Sequence, residues 1–206
     1  MSMGLRERKK IETRRELMFA ALRLFSEHGF DTVTVEQIAE QANVSTRTFF
    51  RYYETKAASC FGLQSMMLDE VLASRDVLTT TEEQIRGFAG RVAAEPELYA
   101  SQTRLALEHP KLRVHRLEIV LAFEDAIAEG FARETPGVDP VIARVAAYLP
   151  THLIPATMEA WVIAGAHGLP EWEPRLTAVR VTVESLLGRG REAAREPSGT
   201  RPMTDL

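Results

Sequence analysis

Cysteine is almost absent from the sequence. The 206 residues contain a single cysteine, Cys60, so no disulfide can form within the chain and a cysteine-ligated zinc site is excluded. Such cysteine usage is typical of a reducing compartment, and we expect a cytoplasmic protein in which Cys60 is buried and inert.

Long apolar stretches are also missing. The most apolar zone, residues 145–158, has 14 residues without Asp, Glu, Lys or Arg and is interrupted by Pro150 and Pro155. A membrane-spanning helix needs about 20 apolar residues. Residues 1–15 are polar and basic, without the apolar segment of a secretory signal. We therefore expect a buried helix in the apolar zone and no membrane partner.

The sequence contains none of the common catalytic or metal-binding motifs. Its five histidines show no HExxH spacing, there is no Gly-x-Ser-x-Gly turn, and the glycines near Gly188 do not complete a dinucleotide-binding loop. We expect no enzymatic activity, no cofactor and no metal site. A helical enzyme without a recognisable motif and an all-helical protein-interaction module stay as alternatives.

Negative charge predominates, but it is unevenly distributed. The whole chain carries −4, whereas residues 1–60 hold ten basic and eight acidic side chains and therefore carry +2. The remaining residues consequently carry −6. A basic end joined to an acidic body indicates an anionic partner near the N-terminus, although a solvated helix surface would show the same charge.

Apolar periodicity predicts three helices in the first 55 residues. The first spans Arg8–His28. Thr34, with Gln37 three residues later, forms a capping box that begins the second helix. Ser45 caps a third, two-turn helix over Thr46–Tyr53, after a four-residue turn. Two short helices joined so closely are typical of a helix-turn-helix motif.

The third helix lies in the stretch VSTRTFFRYYETK (Val44–Lys56), which is dense in aromatic residues. Phe49 and Tyr53 are four residues apart and share the face that packs on the core. The opposite face is polar, cationic and aromatic at once, a mixture that suits the major groove of DNA, although a merely solvated face is the alternative. The residues predicted to contact DNA are Thr34, Ser45, Thr46, Arg47, Thr48, Phe50, Arg51, Tyr52 and Lys56.

These side chains offer complementary contacts to a DNA duplex. Arg47 can donate two hydrogen bonds to guanine O6 and N7, and Phe50 can lie against thymine methyl groups. The hydroxyls of Ser45 and Tyr52 and the ammonium of Lys56 suit phosphate oxygens. The sequence pattern places Lys56 at the N-terminus of a fourth helix, whose free N–H groups favour anions.

The segment Arg14–Lys56, above all LFSEHGFDTVTVEQIAEQANVSTRTFFRYYETK, resembles the DNA-binding head of the tetracycline-repressor (TetR) family of bacterial regulators. It departs from the family pattern at Asn43, where glycine is usual, and at Phe50, where tyrosine would supply a phosphate-bonding hydroxyl. The resemblance implies a homodimeric transcriptional repressor that a small molecule releases from an inverted-repeat operator in double-stranded DNA. The segment STRTFFRYY is also similar to the mycofactocin-type subgroup, and this resemblance implies an acyl-CoA-like inducer.

The whole chain is expected to be all-α. The helix-turn-helix head occupies residues 1–55, a ligand-binding and dimerisation domain occupies residues 56–190, and residues 191–206 are expected to form a disordered tail. A bridging helix, which begins at Lys56 and runs toward Arg75, joins the two domains. Further helices are predicted over Thr81–Ala94, Pro96–Glu108, Pro110–Glu134, Asp139–Ala166 (bent or broken at its internal prolines) and Arg175–Gly188.

Two sets of functional residues are predicted in the second domain. Mixed polar and apolar residues on the middle helices predict a ligand pocket at Tyr99, Arg104, Phe123, His152 and Met158. Arg113, His115 and Arg116 would favour an anionic ligand, or form a solvated surface. The resemblance implies dimerisation through the last two helices, at Ala160, Trp161, Ala164, Val179, Val183 and Leu186, although the same residues could form a core stripe of the monomer.

Overall fold

The computed structural model describes residues 4–195, and within that range the chain folds into nine α-helices and one 3₁₀ turn, without a β-strand. The predicted all-α class is therefore confirmed. The helices are α1 (Leu5–His28), α2 (Val35–Gln41), α3 (Thr46–Tyr52), α4 (Gly62–Ala73), α5 (Val77–Ala94), α6 (Pro96–Glu108), α7 (Pro110–Glu134), α8 (Pro140–Ile163) and α9 (Glu173–Arg195), and the 3₁₀ turn is Ala58–Phe61.

The turns of the N-terminal head follow the predicted capping residues. Gly29 ends α1 with a φ of 82°, a left-handed conformation that glycine adopts without strain. Thr34 begins α2 through the capping box, because its hydroxyl accepts from the Gln37 N–H and its own N–H donates to the Gln37 side chain. Asn43 takes a φ of 52° between α2 and α3, and asparagine tolerates this conformation better than most residues.

Aromatic packing holds the three helices of the head together. Phe25 of α1, Ile38 of α2, and Phe49 on α3 are almost completely buried, and Tyr53 follows α3 into the same core. The Tyr53 hydroxyl donates to the Arg14 carbonyl at 2.7 Å. These contacts fix α3 on α1 and α2, so its remaining face is presented outward on a rigid support.

The predicted start of the bridging helix at Lys56 is wrong by six residues. The Thr55 hydroxyl accepts a hydrogen bond from the Ala58 N–H, at the start of the 3₁₀ turn. Helix α4 follows this turn and begins at Gly62. Gly62 packs closely on the head, because a Cβ atom at this position would lie 2.0 Å from Tyr53 Oη. Cys60 is buried within the turn, and burial raises the pKa of its thiol, which keeps the thiol protonated and unreactive.

The body consists of α4–α9, and α8 is its central element because it packs extensively on both α7 and α9. A bend or a break was predicted at the internal prolines; the break does not occur, and α8 continues through Pro150 and Pro155. The Thr151 hydroxyl lies within hydrogen-bonding distance of the carbonyls of Ala147 and Tyr148 in the preceding turn.

The last helix is longer than the sequence predicted. Helix α9 extends to Arg195, so residues 191–195 of the predicted tail are helical, whereas the rest of that tail lies outside the described residues. Gly188 and Gly190 lie within this helix, since a helix tolerates isolated glycines at a cost of about 1 kcal/mol each. No helix within residues 4–195 is both long and apolar enough to cross a membrane.

Candidate functional site

The outward face of α3 is the candidate nucleic-acid interface. Arg47, Phe50 and Arg51 are all exposed, whereas Phe49 between them is buried. Phe50 is 55% exposed although its ring meets the Phe49 ring edge-on at a centroid distance of 5.4 Å. An aromatic ring between two exposed guanidinium groups is the mixed surface that the sequence predicts for this helix.

Local hydrogen bonds orient the polar residues of this face. The Ser45 hydroxyl accepts from the Thr48 N–H at 3.1 Å and shares a 2.9 Å hydrogen bond with the Thr48 hydroxyl. The Arg51 guanidinium lies over the Tyr52 ring, 5.0 Å from its centre, and donates to the Tyr52 hydroxyl at 3.4 Å. The first pair lies at the N-terminal end of α3 and the second at its C-terminal end.

The remaining predicted contacts lie beside this face. Thr34 is exposed at the start of α2, and its hydroxyl oxygen already accepts from Gln37. Thr46 is half-buried at the first position of α3. A seven-residue helix is roughly 10 Å long, which suits insertion of its first turns into a major groove about 12 Å wide.

Lys56 has a different environment from the one predicted. Its ammonium donates to the carbonyls of Phe30 and Val33 at 2.5 and 2.6 Å, and it lies 4.4 Å from the centre of the Phe30 ring. Burial lowers the pKa of Lys56. Because α4 begins at Gly62, Lys56 is not at a helix N-terminus, and its main contacts fasten the turn between α1 and α2 to the end of α3.

A second site is a cavity of about 90 Å³ enclosed by the middle of the body. Helices α4–α8 all contribute to its wall, which is mostly apolar. Of the five residues predicted to form a pocket, Phe123 and Met158 line it. The polar residues in its wall include Gln64, Thr81, Gln84, Gln102, Thr103, Arg116 and Thr151.

The other three predicted pocket residues point elsewhere. Tyr99 packs edge-on against Phe88 at 5.2 Å, and burial raises the pKa of its hydroxyl. Arg104 is at the surface, with its guanidinium 3.9 Å from the Glu97 carboxylate. His152 stacks on Tyr148 at 3.8 Å, outside the cavity wall. The contact of Tyr99 is with a neighbouring helix, α5, whereas those of Arg104 and His152 are with residues of their own helices.

The glutamines of the cavity were not predicted, although the sequence carries a signal for Gln102. Gln102 and Thr103 fall on the same stripe of α6 as the buried Tyr99 and Ala106, at steps of three and four residues. Polar residues inside an otherwise apolar stripe indicate a polar feature in the interior. Arg113, His115 and Arg116 were considered as binding residues for an anionic ligand. Of these, Arg116 lines the cavity, while Arg113 is exposed.

The predicted dimer residues divide into buried and exposed groups. Trp161 and Val183 are buried in the core of their own chain, which is the arrangement that a monomer core stripe would give. Val179 and Leu186 are half-buried, and Ala160 and Ala164 are exposed. Large apolar side chains do lie exposed on the last two helices, but at other positions: Val141, Val145, Tyr148 and Ile163 on α8, and Val181 on α9.

The head and its outward α3 face define a helix-turn-helix DNA-binding protein. The family described as bacterial regulatory proteins, tetR family, matches residues 17–58, which span the second half of α1, all of α2 and α3, and the start of the 3₁₀ turn. The head of the chain therefore matches this family, and the chain is a DNA-binding transcriptional regulator.

Similar proteins extend the likeness beyond the head. A protein assigned as the mycofactocin biosynthesis transcriptional regulator MftR of Mycobacterium tuberculosis is 27% identical over 191 residues, covering 88% of each chain. The HTH-type transcriptional regulator TcmR of Streptomyces glaucescens is 37% identical over 91 residues, covering 44% of this chain and 40% of TcmR.

A solved structure shows that the fold of the body is shared as well. The fatty acid degradation regulator FadR from Bacillus halodurans superposes with a TM-score of 0.52 and 18% identity, covering 91% of this chain and 97% of FadR. In the part of the chain that the structure describes, no three metal-ligating side chains cluster together.

Proposed function

We propose that this regulator is a cytoplasmic, homodimeric repressor that releases an inverted-repeat operator when a small molecule fills the body cavity. The observation that carries the proposal is the α3 face, on which Arg47, Phe50 and Arg51 are exposed while the buried Phe49 anchors the helix from behind. In this proposal residues 1–55 form the DNA-binding domain and residues 56–190 the regulatory domain.

Helix α4 offers a mechanical connection between the two sites. Its first residue, Gly62, packs directly against Tyr53 of the head, and Gln64 and Met67 on the following turn line the cavity. A ligand that prefers a different position of α4 would therefore also act on the support of α3. It would shift the protein away from the DNA-binding arrangement only to the extent of its differential affinity for the two states.

The inducer must match a largely apolar cavity. An acyl-CoA-like molecule is the candidate implied by the resemblance of the segment STRTFFRYY to mycofactocin-type regulators, and the apolar wall suits an acyl chain. Arg116 is the only charged residue among the described residues of the wall, and it is paired with Glu159. The phosphates of such a molecule would therefore have to remain outside the cavity.

The proposed function is tested by selecting bound genomic fragments and measuring binding across a salt series. We expect the bound fragments to share an inverted repeat with half-sites roughly 34–36 Å apart, so that two α3 helices enter successive major grooves. The logarithm of the binding constant should fall with the logarithm of salt concentration by about 0.9 for each phosphate contact. Binding without an inverted repeat or a salt response would favour the protein-interaction alternative.

Dimerisation is proposed to use the exposed apolar side of α8 and α9. Val141, Val145 and Tyr148 lie four and three residues apart and therefore share one side of α8. Such a side is suited to pairing with the same surface of a second copy, because a two-fold interface is self-complementary. Trp161 belongs to the monomer core and is excluded from this interface.

Replacing Tyr148 by arginine should convert the dimer to monomers. The substitution puts a charge in the middle of the apolar surface without disturbing the monomer core, because Tyr148 is half exposed. Sedimentation velocity measures the outcome. The matched control is Leu117→Arg, which alters a comparably exposed apolar residue on α7 and should leave the dimer intact. A dimer that survives Tyr148→Arg but not Leu117→Arg would place the interface on α7.

A further inference from the structure

One polar atom in the cavity has no partner. The Gln64 Oε1 atom is buried, Gln64 lines the cavity, and no described residue donates a hydrogen bond to this oxygen. Buried carbonyl oxygens are normally paired, because leaving one unpaired forfeits its hydrogen bonds to water. An unpaired acceptor in the wall of a ligand cavity therefore indicates where a donor group of the ligand would lie.

The side-chain amide of Gln102 determines which atom of the Gln64 side-chain amide is left for the ligand. Gln102 Nε2 donates to the Cys60 carbonyl, which leaves Gln102 Oε1 as an acceptor. Gln64 Nε2 lies 3.5 Å from that oxygen and donates to it. Reversing the Gln64 amide would bring two acceptor oxygens together, so the hydrogen-bond network assigns Oε1 as the free atom.

The charges around the cavity favour a neutral ligand. The guanidinium of Arg116 hydrogen-bonds the Glu159 carboxylate, and the Arg116 side chain is only 15% exposed. An anionic group would have to compete with Glu159 for this cation and to lose its own hydration. The rest of the wall offers rings and aliphatic chains, such as Phe61, Ile85 and Phe123, together with neutral polar groups.

We propose that the inducer is an uncharged, largely apolar molecule whose hydroxyl group donates a hydrogen bond to Gln64 Oε1. This inference rests on the proposed ligand-released function, but it replaces the acyl-CoA-like candidate by an uncharged ligand in the same cavity. A hydroxyl group supplies the donor that Gln64 lacks and carries no charge. A saturated acyl chain has no such donor, so it would leave Gln64 Oε1 unpaired.

Three probes of matched size separate the donor, acceptor and charge requirements: 4-ethylphenol, 4-ethylanisole and 4-ethylbenzoate. The phenol can donate, the methyl ether can only accept, and the benzoate is anionic. Calorimetric titration of the full-length dimer should show the phenol binding about tenfold more tightly than the ether, a ratio that corresponds to one hydrogen bond. The benzoate should bind more weakly than the phenol as well.

Two variants test the atoms involved. Gln64→Met keeps the side-chain length but removes the acceptor, so the phenol-to-ether ratio should fall to about one while ether binding is unchanged. Glu159→Gln releases the charge of Arg116, so benzoate binding should strengthen severalfold while phenol binding stays the same. Thermal unfolding and DNA binding of the unliganded variants verify that each has folded.

Several outcomes would overturn the inference. The first two are equal binding of phenol and ether to the unaltered protein, and a phenol-to-ether affinity ratio that stays near ten in Gln64→Met. The other two are tightest binding of the benzoate, and no measurable binding of any of the three probes. None of them would affect operator binding by the unliganded dimer. Loss of operator binding itself would instead contradict the proposed function, so the two failures are distinguishable.

Discussion

Replacing Arg47 by alanine should weaken operator binding by about 1–3 kcal/mol per subunit and relax the base preference at one position of each half-site. The guanidinium is exposed on the first turn of α3, where a bidentate contact to guanine O6 and N7 is within reach once the helix enters the major groove. Because a homodimer carries two copies of Arg47, the loss of binding free energy should occur at both half-sites. A binding selection from randomised operators measures both effects.

The control for Arg47→Ala is Arg75→Ala, which removes the same charge from an exposed residue beyond the C-terminal end of α4, away from the head. This control should change operator affinity little and should leave base preference unaltered. If Arg47→Ala weakened binding to every sequence equally, Arg47 would contact phosphate rather than a base, and the assignment of its role would be wrong.

Replacing Phe49 by alanine should destabilise the protein by about 3–5 kcal/mol and abolish operator binding. Phe49 is completely buried between the helices of the head and contacts the Tyr53 ring at a centroid distance of 5.7 Å, so the substitution leaves a cavity behind the recognition helix. Urea denaturation followed by far-ultraviolet circular dichroism measures the change. Tryptophan fluorescence would report on the body instead, since both tryptophans, Trp161 and Trp172, lie there.

Phe50→Ala provides a matched control on the next residue. It removes the same ring, but from a side chain that is more than half exposed, so the free energy of unfolding should change far less than in Phe49→Ala. Operator binding should nevertheless weaken, because the ring lies between Arg47 and Arg51 on the proposed DNA-binding face. Similar destabilisation by both substitutions would show that the two faces of α3 are not divided as described.

The main contacts of Lys56 lie within the head and not on the proposed DNA-binding face. Its ammonium holds two carbonyls of the turn that precedes α2, so it helps to fix the position of α2 relative to α3. One N–H of the ammonium remains beyond these two bonds, and a phosphate contact through it stays a prediction. Substitution of Lys56 would therefore affect the stability of the head together with its affinity for DNA.

Local sequence signals were sufficient for most of the head. The capping box at Thr34, the cap at Ser45 and the left-handed Asn43 depend on residues within a few positions of one another. These features can therefore be predicted from the sequence alone. The division between Phe49 and Phe50 also follows from helical spacing, because a seven-residue helix packed on one side has only one buried face.

The sequence by itself determined the all-α class, the order of the helices, and the face of α3 that is exposed, because each follows from periodicity and capping over short distances. Only the tertiary structure decided the partners of Lys56, the burial of Trp161 and the free oxygen of Gln64. Each of these depends on a residue from another element, and apolar spacing shows that a side chain is covered without showing which neighbour covers it.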